Sequence, residues 1–383
     1  MTTTHMQYVR LSTPRRIAFA VIFLGVVIFS GSTSIAQDKQ ESAPKFQRLH
    51  VDGDKSQNGI FDVSLEYGDD GIGWMAYSSI EIPKFIETHI AKSVDHGKTW
   101  TFVSRPNTSD AVKLEVNHQS IEAVVRYETP SLLFDPDDQP DRRWKLFTNR
   151  YPVVKPFDPT DRRMSDGTIE VQYSASPDGG WSKPVCVIGP HAGCRIDLAT
   201  AAPSLADVKF MTEPGTVIDK GVIYMSLDVG TTESGMGDWE HFRVILMASS
   251  DHGETWRHVG TLLNHDDAMR FKYLVFTGTS LVREKGKLYL FATPSGATYK
   301  SHHDHDGTMI MALMDIKQAQ VARDDKGTPV VVKRINVDKQ SGGLADYDEQ
   351  NTEGGIVFPQ FTFWGLPEVF QLWNTGETIS GPP

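Results

Sequence analysis

The chain has 383 residues, 49 acidic and 38 basic, for a formal charge of −11. That length fits one large domain or two small ones. The acidic balance argues against nucleic acid and anionic membrane as main partners, since both would repel it.

Arg10, Arg15 and Arg16 precede an apolar run, Ile17 to Phe29, which meets Ser30-Gly31-Ser32-Thr33-Ser34-Ile35-Ala36. A basic start, a short apolar centre and a small-x-small site predict a secretory signal over residues 1–36, cleaved after Ala36. The run is shorter than the roughly 20 residues that span a membrane. Residues 37–45 read as a disordered linker and 46–383 as one domain. Without residues 1–36, 35 basic residues face 49 acidic ones, a charge of −14. The expectation is a secreted or periplasmic monomer with no membrane contact after signal removal.

From Phe46 onward the chain reads as short strands and turns, without long helical periodicity. The first unit has Ile60 to Leu65 and Gly73 to Ser78, then Ser93-Val94-Asp95-His96-Gly97-Lys98-Thr99-Trp100. The second has Thr129 to Phe134 and Trp144 to Thr148, then a shortened Ser176-Pro177-Asp178-Gly179-Gly180-Trp181. The third has Pro214 to Ile218 and Val222 to Ser226, then Ser249-Ser250-Asp251-His252-Gly253-Glu254-Thr255-Trp256. The fourth has Gly278 to Val282, Lys287 to Phe291 and Met309 to Leu313, and ends at Asp324-Asp325-Lys326-Gly327 without such a stretch. The fifth is short, Gly355 to Phe358 and Glu368 to Trp373, and Phe46 to Val51 can supply its outer strand. Cys186 and Cys194 lie close together, either as a disulfide closing a small loop or as two free thiols.

The two S-x-D-x-G-x-T-W stretches are turn chemistry. Ser and Asp side chains bond nearby N–H groups, Gly accepts a positive φ, and Thr-Trp re-enters a strand. They resemble the Asp-box (BNR-type) turn of sialidases and related propellers. The resemblance implies an all-β fold, a five-bladed β-propeller of four strands per blade. It gives the boxes a structural role.

In such a ring the inner strands start near the axis, on the face that also carries the loops between second and third strands. The boxes lie opposite. Four such loops read as long: Ser79 to Thr88, Asn149 to Gly167, Val229 to Phe242 and Pro294 to Asp306. Asp62, Glu128, Glu213 and Thr277 stand just before or at inner-strand starts. Acids converging on an axis would push their pKa values apart, which an acid/base pair requires; the other reading is ordinary turn acids. Five-bladed arabinofuranosidases, xylosidases and fructosidases carry acids at such places. The resemblance implies Asp62 as base or nucleophile, Glu128 as orienting acid and Glu213 as general acid. Phe242-Arg243-Val244 before the third box is similar to sialidases, which hold a substrate carboxylate with Arg. Arg150 and Arg243 are the candidates here, with bidentate geometry to offer.

Ser301-His302-His303-Asp304-His305-Asp306 is a dense cluster. His302 and His303 are candidates for substrate contact. His303, His305 and Asp306 are candidate ligands for a divalent cation such as calcium; a solvated loop is the other reading, and no cofactor is otherwise expected. Trp239 and Trp364 could stack on sugar rings or serve the core. Together these features predict a secreted glycoside hydrolase, sialidase-like or arabinofuranosidase/xylosidase-like, acting on an oligo- or polysaccharide. A non-catalytic carbohydrate- or protein-binding propeller is the alternative, because one fold serves many functions.

Overall fold

Runs rich in Val, Ile, Tyr, Phe and Trp form five antiparallel sheets, the blades of a β-propeller. The computed structural model describes residues 46–383 except 117, 156–165, 190–192, 233–237, 297–304, 336–340, 352–354, 362–368 and 382–383. The leader and linker, His302, His303 and Trp364 therefore lie outside the described residues.

From axis to rim, the first blade is Ile60–Tyr67, Gly73–Glu81, Phe85–Ser93 and Trp100–Ser104. The second is Gln119–Phe134, Trp144–Val154, Thr168–Ser174 and Val185–Ile188; an extra strand, Ala111–Val116, pairs with the first half of its long inner strand. The third is Phe210–Asp219, Val222–Gly230, Arg243–Ser249 and Arg257–Asn264. The fourth is Val275–Glu284, Lys287–Ser295, Thr308–Asp315 and Val331–Ile335. In the fifth, Asp346–Tyr347 is innermost, followed by Ile356–Phe361 and Phe370–Asn374. Gln47–Leu49 adds the outer strand, antiparallel to Phe370–Asn374, and closes the ring as expected.

The sequence reading needs two corrections in this frame. Ile356 to Phe358 is the second strand of the fifth blade, not its first; the true inner strand is so short that its pattern carries no period. Ser79 to Thr88 is no long loop. Its strands run on to Glu81 and back from Phe85, and Arg126 of the second blade donates from its guanidinium to the carbonyls of Pro83 and Lys84.

The two boxes form the same turn. Asp95 Oδ1 accepts from Thr99 N at 2.9 Å, and Asp251 Oδ1 accepts from Thr255 N at 2.9 Å. Ser93 and Ser249 each accept from the amide of the box glycine, at 2.9 and 2.8 Å. His96-Gly97 and His252-Gly253 all take positive φ, so the box spacing reads out a left-handed pair. The fourth blade, expected to lack a box, keeps half of one: Asp324 Oδ1 accepts from Thr328 N at 2.8 Å.

The core is a set of layers between neighbouring blades. Trp256 packs edge-on to Phe147 of the second blade at 5.9 Å between ring centres, with Met225 and Met247 around it. Trp100 sits among Val51, Met75, Val357 and Leu372, joining the first blade to the fifth. The disulfide Cys186–Cys194 is formed, with Cα atoms 4.6 Å apart.

Acids gather where the first and fifth inner strands end. Burial, reinforced by neighbouring carboxylates, pushes Glu66 up to about 8, Asp346 to about 7 and Asp348 to about 6.

Trp100→Ala and Trp256→Ala should each cost about 3–5 kcal/mol, the usual loss for a large buried aromatic. Denaturant midpoints check this; unchanged midpoints would remove the box tryptophans from the core. The acid group sets a pH dependence. Unfolded carboxyls release their protons near pH 4, while the folded group holds them to about 6–8. The unfolded chain then binds fewer protons across that window, so stability falls as pH rises from about 5 to about 8. Melting temperature should follow, and Glu66→Gln should flatten the decline.

Candidate active site

The inner strands of the first four blades each depart from regular pairing. The register shifts between Phe61 and Val63, Glu128 and Ser131, Thr212 and Gly215, and Thr277 and Ser280. A residue of positive φ sits at each shift: Asp62 at 46°, Thr129 at 53°, Glu213 at 57° and Gly278 at 59°. Gly343 takes the place in the fifth blade, at 125°. Glycine accepts this conformation freely; Asp, Thr and Glu do so at a cost of roughly 1–2 kcal/mol each. Backbone strain of this kind collects at functional sites. The equivalence corrects one expectation. Glu128 is one residue ahead of the position held by Asp62 and Glu213, because Thr129 occupies the kink.

The acids still meet. The charges of Glu128 and Glu213 both act on Asp62, which is buried. Asp62 Oδ1 accepts from Leu344 N and Oδ2 from Ser78 Oγ, each at 3.2 Å. Ser78 Oγ accepts in turn from Thr129 N at 3.1 Å, tying the first acid to the second kink. Glu128 Oε2 accepts from the hydroxyl of Tyr151. Glu213 Oε2 accepts from Thr277 Oγ1 at 2.5 Å and from Gly278 N at 2.6 Å. A fourth acid, Asp228, stands behind Glu213. It is fully buried and hydrogen-bonded to Glu213; its Oδ2 lies 2.6 Å from the same Thr277 hydroxyl and accepts from the Gly278 amide at 3.1 Å.

Protonation is uneven across this group. Burial first, then the charges of Glu128 and Glu213, push Asp62 well above the ordinary carboxyl range. Burial also pushes on Glu213, but hydrogen bonds from Asp228, Thr277 and the Gly278 amide outweigh it, helped by the charge of His305, and hold Glu213 low. Burial and the adjacent Glu213 charge push Asp228 well up. The site therefore pushes neighbouring carboxyls in opposite directions, Asp62 and Asp228 up and Glu213 down.

Asp228, Tyr151 and Asn149 were not singled out from sequence. Asp228 left a signal: it is the one charged residue in the apolar run Val222–Gly230, where a lone acid is costly unless bonded. Asn149 Nδ2 donates to Thr212 Oγ1 at 2.8 Å, beside Glu213. Asn149 Oδ1 and Thr129 Oγ1 are buried and make no hydrogen bond among the described residues.

The other expected residues are spread out. Strand alternation puts Arg150 on the sheet face opposite Asn149 and Tyr151, where it faces Glu170 at 3.5 Å and bonds Tyr127. Arg243 is committed to Asp207, at 2.7 Å, and to the carbonyls of Ser204 and His241, at 3.0 and 2.9 Å. That engagement, not a free fork, is what a substrate carboxylate would meet. Trp239 packs on Phe210, Phe242, Leu274 and Val275 where the third and fourth inner strands start. Asp306 accepts from the Tyr273 hydroxyl and from Arg334, at 3.0 Å for the latter, so its carboxylate is already neutralised. His305 lies near enough to Glu213 to influence its charge.

Among the described residues, Asp135, Asp138 and His252 alone group like metal ligands. The fully buried Lys145 ammonium reaches Asp135 and Asp138 at 3.1 and 2.6 Å, and His252 reaches Asp135 at 2.9 Å. A cation of the protein's own thus fills the place. This network fastens the third box to the second blade.

No protein-family profile and no curated protein matches the chain. Solved structures do. A family 32 β-fructofuranosidase of Bombyx mori aligns over 86% of this chain and 61% of its own, with a TM-score of 0.52 and 11% identity. The chain thus spans about three-fifths of that enzyme. A family 117 glycoside hydrolase of Zobellia galactanivorans aligns over 86% of this chain and 89% of its own, at 0.51 and 13% identity. A Trypanosoma rangeli sialidase aligns more loosely, at 0.41 and 15%, over 87% of this chain and 58% of its own. At such identities the likeness is one of fold.

Lys145→Met should cost about 3–5 kcal/mol, because it strands two buried carboxylates. Added calcium should leave the wild-type melting temperature unchanged. A large calcium-induced rise would show that an ion displaces the lysine.

Proposed function

We propose that the chain is a glycoside hydrolase, sialidase-like or arabinofuranosidase/xylosidase-like, that cleaves glycosidic bonds of an oligo- or polysaccharide with axial carboxylates. The observation that carries the reading is the convergence of Asp62, Glu128 and Glu213 from three blades on one buried site, where Asp62 is pushed up and Glu213 held low. Glycosidic cleavage needs one carboxyl that gives a proton to the leaving oxygen and one carboxylate that attacks or activates water. The fold shared with known glycoside hydrolases supports the reading.

The family resemblance implies Glu213 as the donor and Asp62 as the base or nucleophile. The electrostatics favour the exchange of these roles, because burial and two negative neighbours push Asp62 up while hydrogen bonds hold Glu213 low. Glu128, fixed by Tyr151, orients the sugar.

Both Asp62→Asn and Glu213→Gln should stay folded by circular dichroism and lose turnover by roughly 10²–10⁴. Aryl glycosides with good leaving groups should rescue Asp62→Asn but not Glu213→Gln, since only a proton donor becomes dispensable. Rescue of Glu213→Gln alone would restore the original assignment. Near-wild-type turnover in both variants would remove the axial acids from catalysis. A protein that binds glycans but cleaves none across a broad panel would be a binding propeller.

A further inference from the structure

Two carboxyls in hydrogen-bond contact cannot both be charged in a site closed to water. Glu213 and Asp228 are in that position, and the third-blade backbone fixes both. Glu213 sits at the kink of the inner strand, and Asp228, on the second strand, pairs with Thr212 just before it. Asp228 has no exposure, so it touches no substrate. Its pocket is built from the fourth blade. Thr277 Oγ1 lies 2.5 Å from Glu213 Oε2 and 2.6 Å from Asp228 Oδ2, yet a hydroxyl has one proton to give. The Gly278 amide is likewise shared, at 2.6 Å to Glu213 and 3.1 Å to Asp228. Thr279 Oγ1 adds a donor to Asp228 Oδ1 at 3.3 Å. The remaining charged groups acting on the pair are Asp62 and His305. The shorter amide contact goes to Glu213, the half-buried member, which therefore keeps the charge; Asp228 keeps the proton and offers it.

We propose that Asp228 is a positioning residue, a protonated hydrogen-bond donor that stands behind Glu213 and keeps that carboxylate charged and aimed at the axis. The inference rests on the glycosidase reading for its purpose, but not for its test. A protonated aspartic acid and an asparagine have nearly the same shape and both can donate. Asp228→Asn should therefore keep activity within a few-fold and leave the acid limb of the kcat/KM profile in place. Asp228→Ala removes the donor, so Glu213 should protonate more easily and the acid limb should move up by about one pH unit, a shift that a merely structural role would not produce.

Infrared difference spectra read the proton directly, whether or not any glycan is cleaved. Wild type minus Asp228→Asn at pH 7 should show one protonated-carboxyl C=O band lost. Wild type minus Glu213→Gln should show a carboxylate band lost instead. If Asp228→Asn abolishes activity while folded, or if Glu213→Gln is the variant that loses the protonated band, the proton sits on Glu213 and the proposal is overturned. Spectra that fit, from a protein that cleaves nothing, would keep the pair and reject the glycosidase.

Discussion

Everything in this ring depends on how five inner strands meet at an axis where ordinary sheet pairing is impossible. They are held by bonds from one blade to the next. Val63 N donates to Leu344 O at 3.1 Å, Leu132 N to Ser64 Oγ at 2.9 Å, and Thr216 N to Ser131 Oγ at 2.9 Å. Gly278 N donates to Glu213, and Gly343 N to Thr293 Oγ1 at 2.9 Å. Small hydroxyl side chains make three of these five joints. A buried backbone N–H needs a partner, and at two of the joints the partner is a carboxylate. Asp62 accepts from Leu344 and Glu213 accepts from Gly278. The same acids that suit catalysis are thus part of the scaffold's own hydrogen bonding.

That double duty explains the electrostatics. A carboxylate bonded by a short amide contact and a hydroxyl, as in Glu213, tolerates burial as a charge. Asp62 has longer contacts and two negative neighbours, and burial wins. The fourth and fifth blades put Gly278 and Gly343 at the kink, so the acids lie on one side of the ring only. A Cβ on Gly278 would meet the backbone of Gly343 at 2.8 Å, so no side chain fits there.

Much of the architecture was legible in the sequence, and for local reasons. Box spacing fixes a turn within eight residues, and the alternating apolar runs around it fix the strands. What escaped depends on contacts between distant segments. The fifth inner strand, Asp346–Tyr347, is too short to show a period. The half-box at Asp324 lacks the serine and shifts its glycine, but keeps the Asp-to-Thr bond and the backbone turn bond from Gly327 to Asp324. Glu128 looked equivalent to Asp62 because acids were matched by type; the kink that separates them is a matter of backbone dihedrals. Arg243 looked free because Asp207, its partner, lies far back along the chain.

The strand that completes the fifth blade comes from the start of the domain: Gln47 pairs with Asn374. During synthesis the rim of that last sheet must therefore wait, made but unpaired, until Leu372 to Asn374 have been made. Leu344, whose amide anchors Asp62, belongs to the same late-arriving blade. The first of the axial carboxyls in chain order thus acquires its anchor only from a residue made 282 positions later. A half-finished ring would hold blades without a working centre, and the site matures in the same event that joins the two ends.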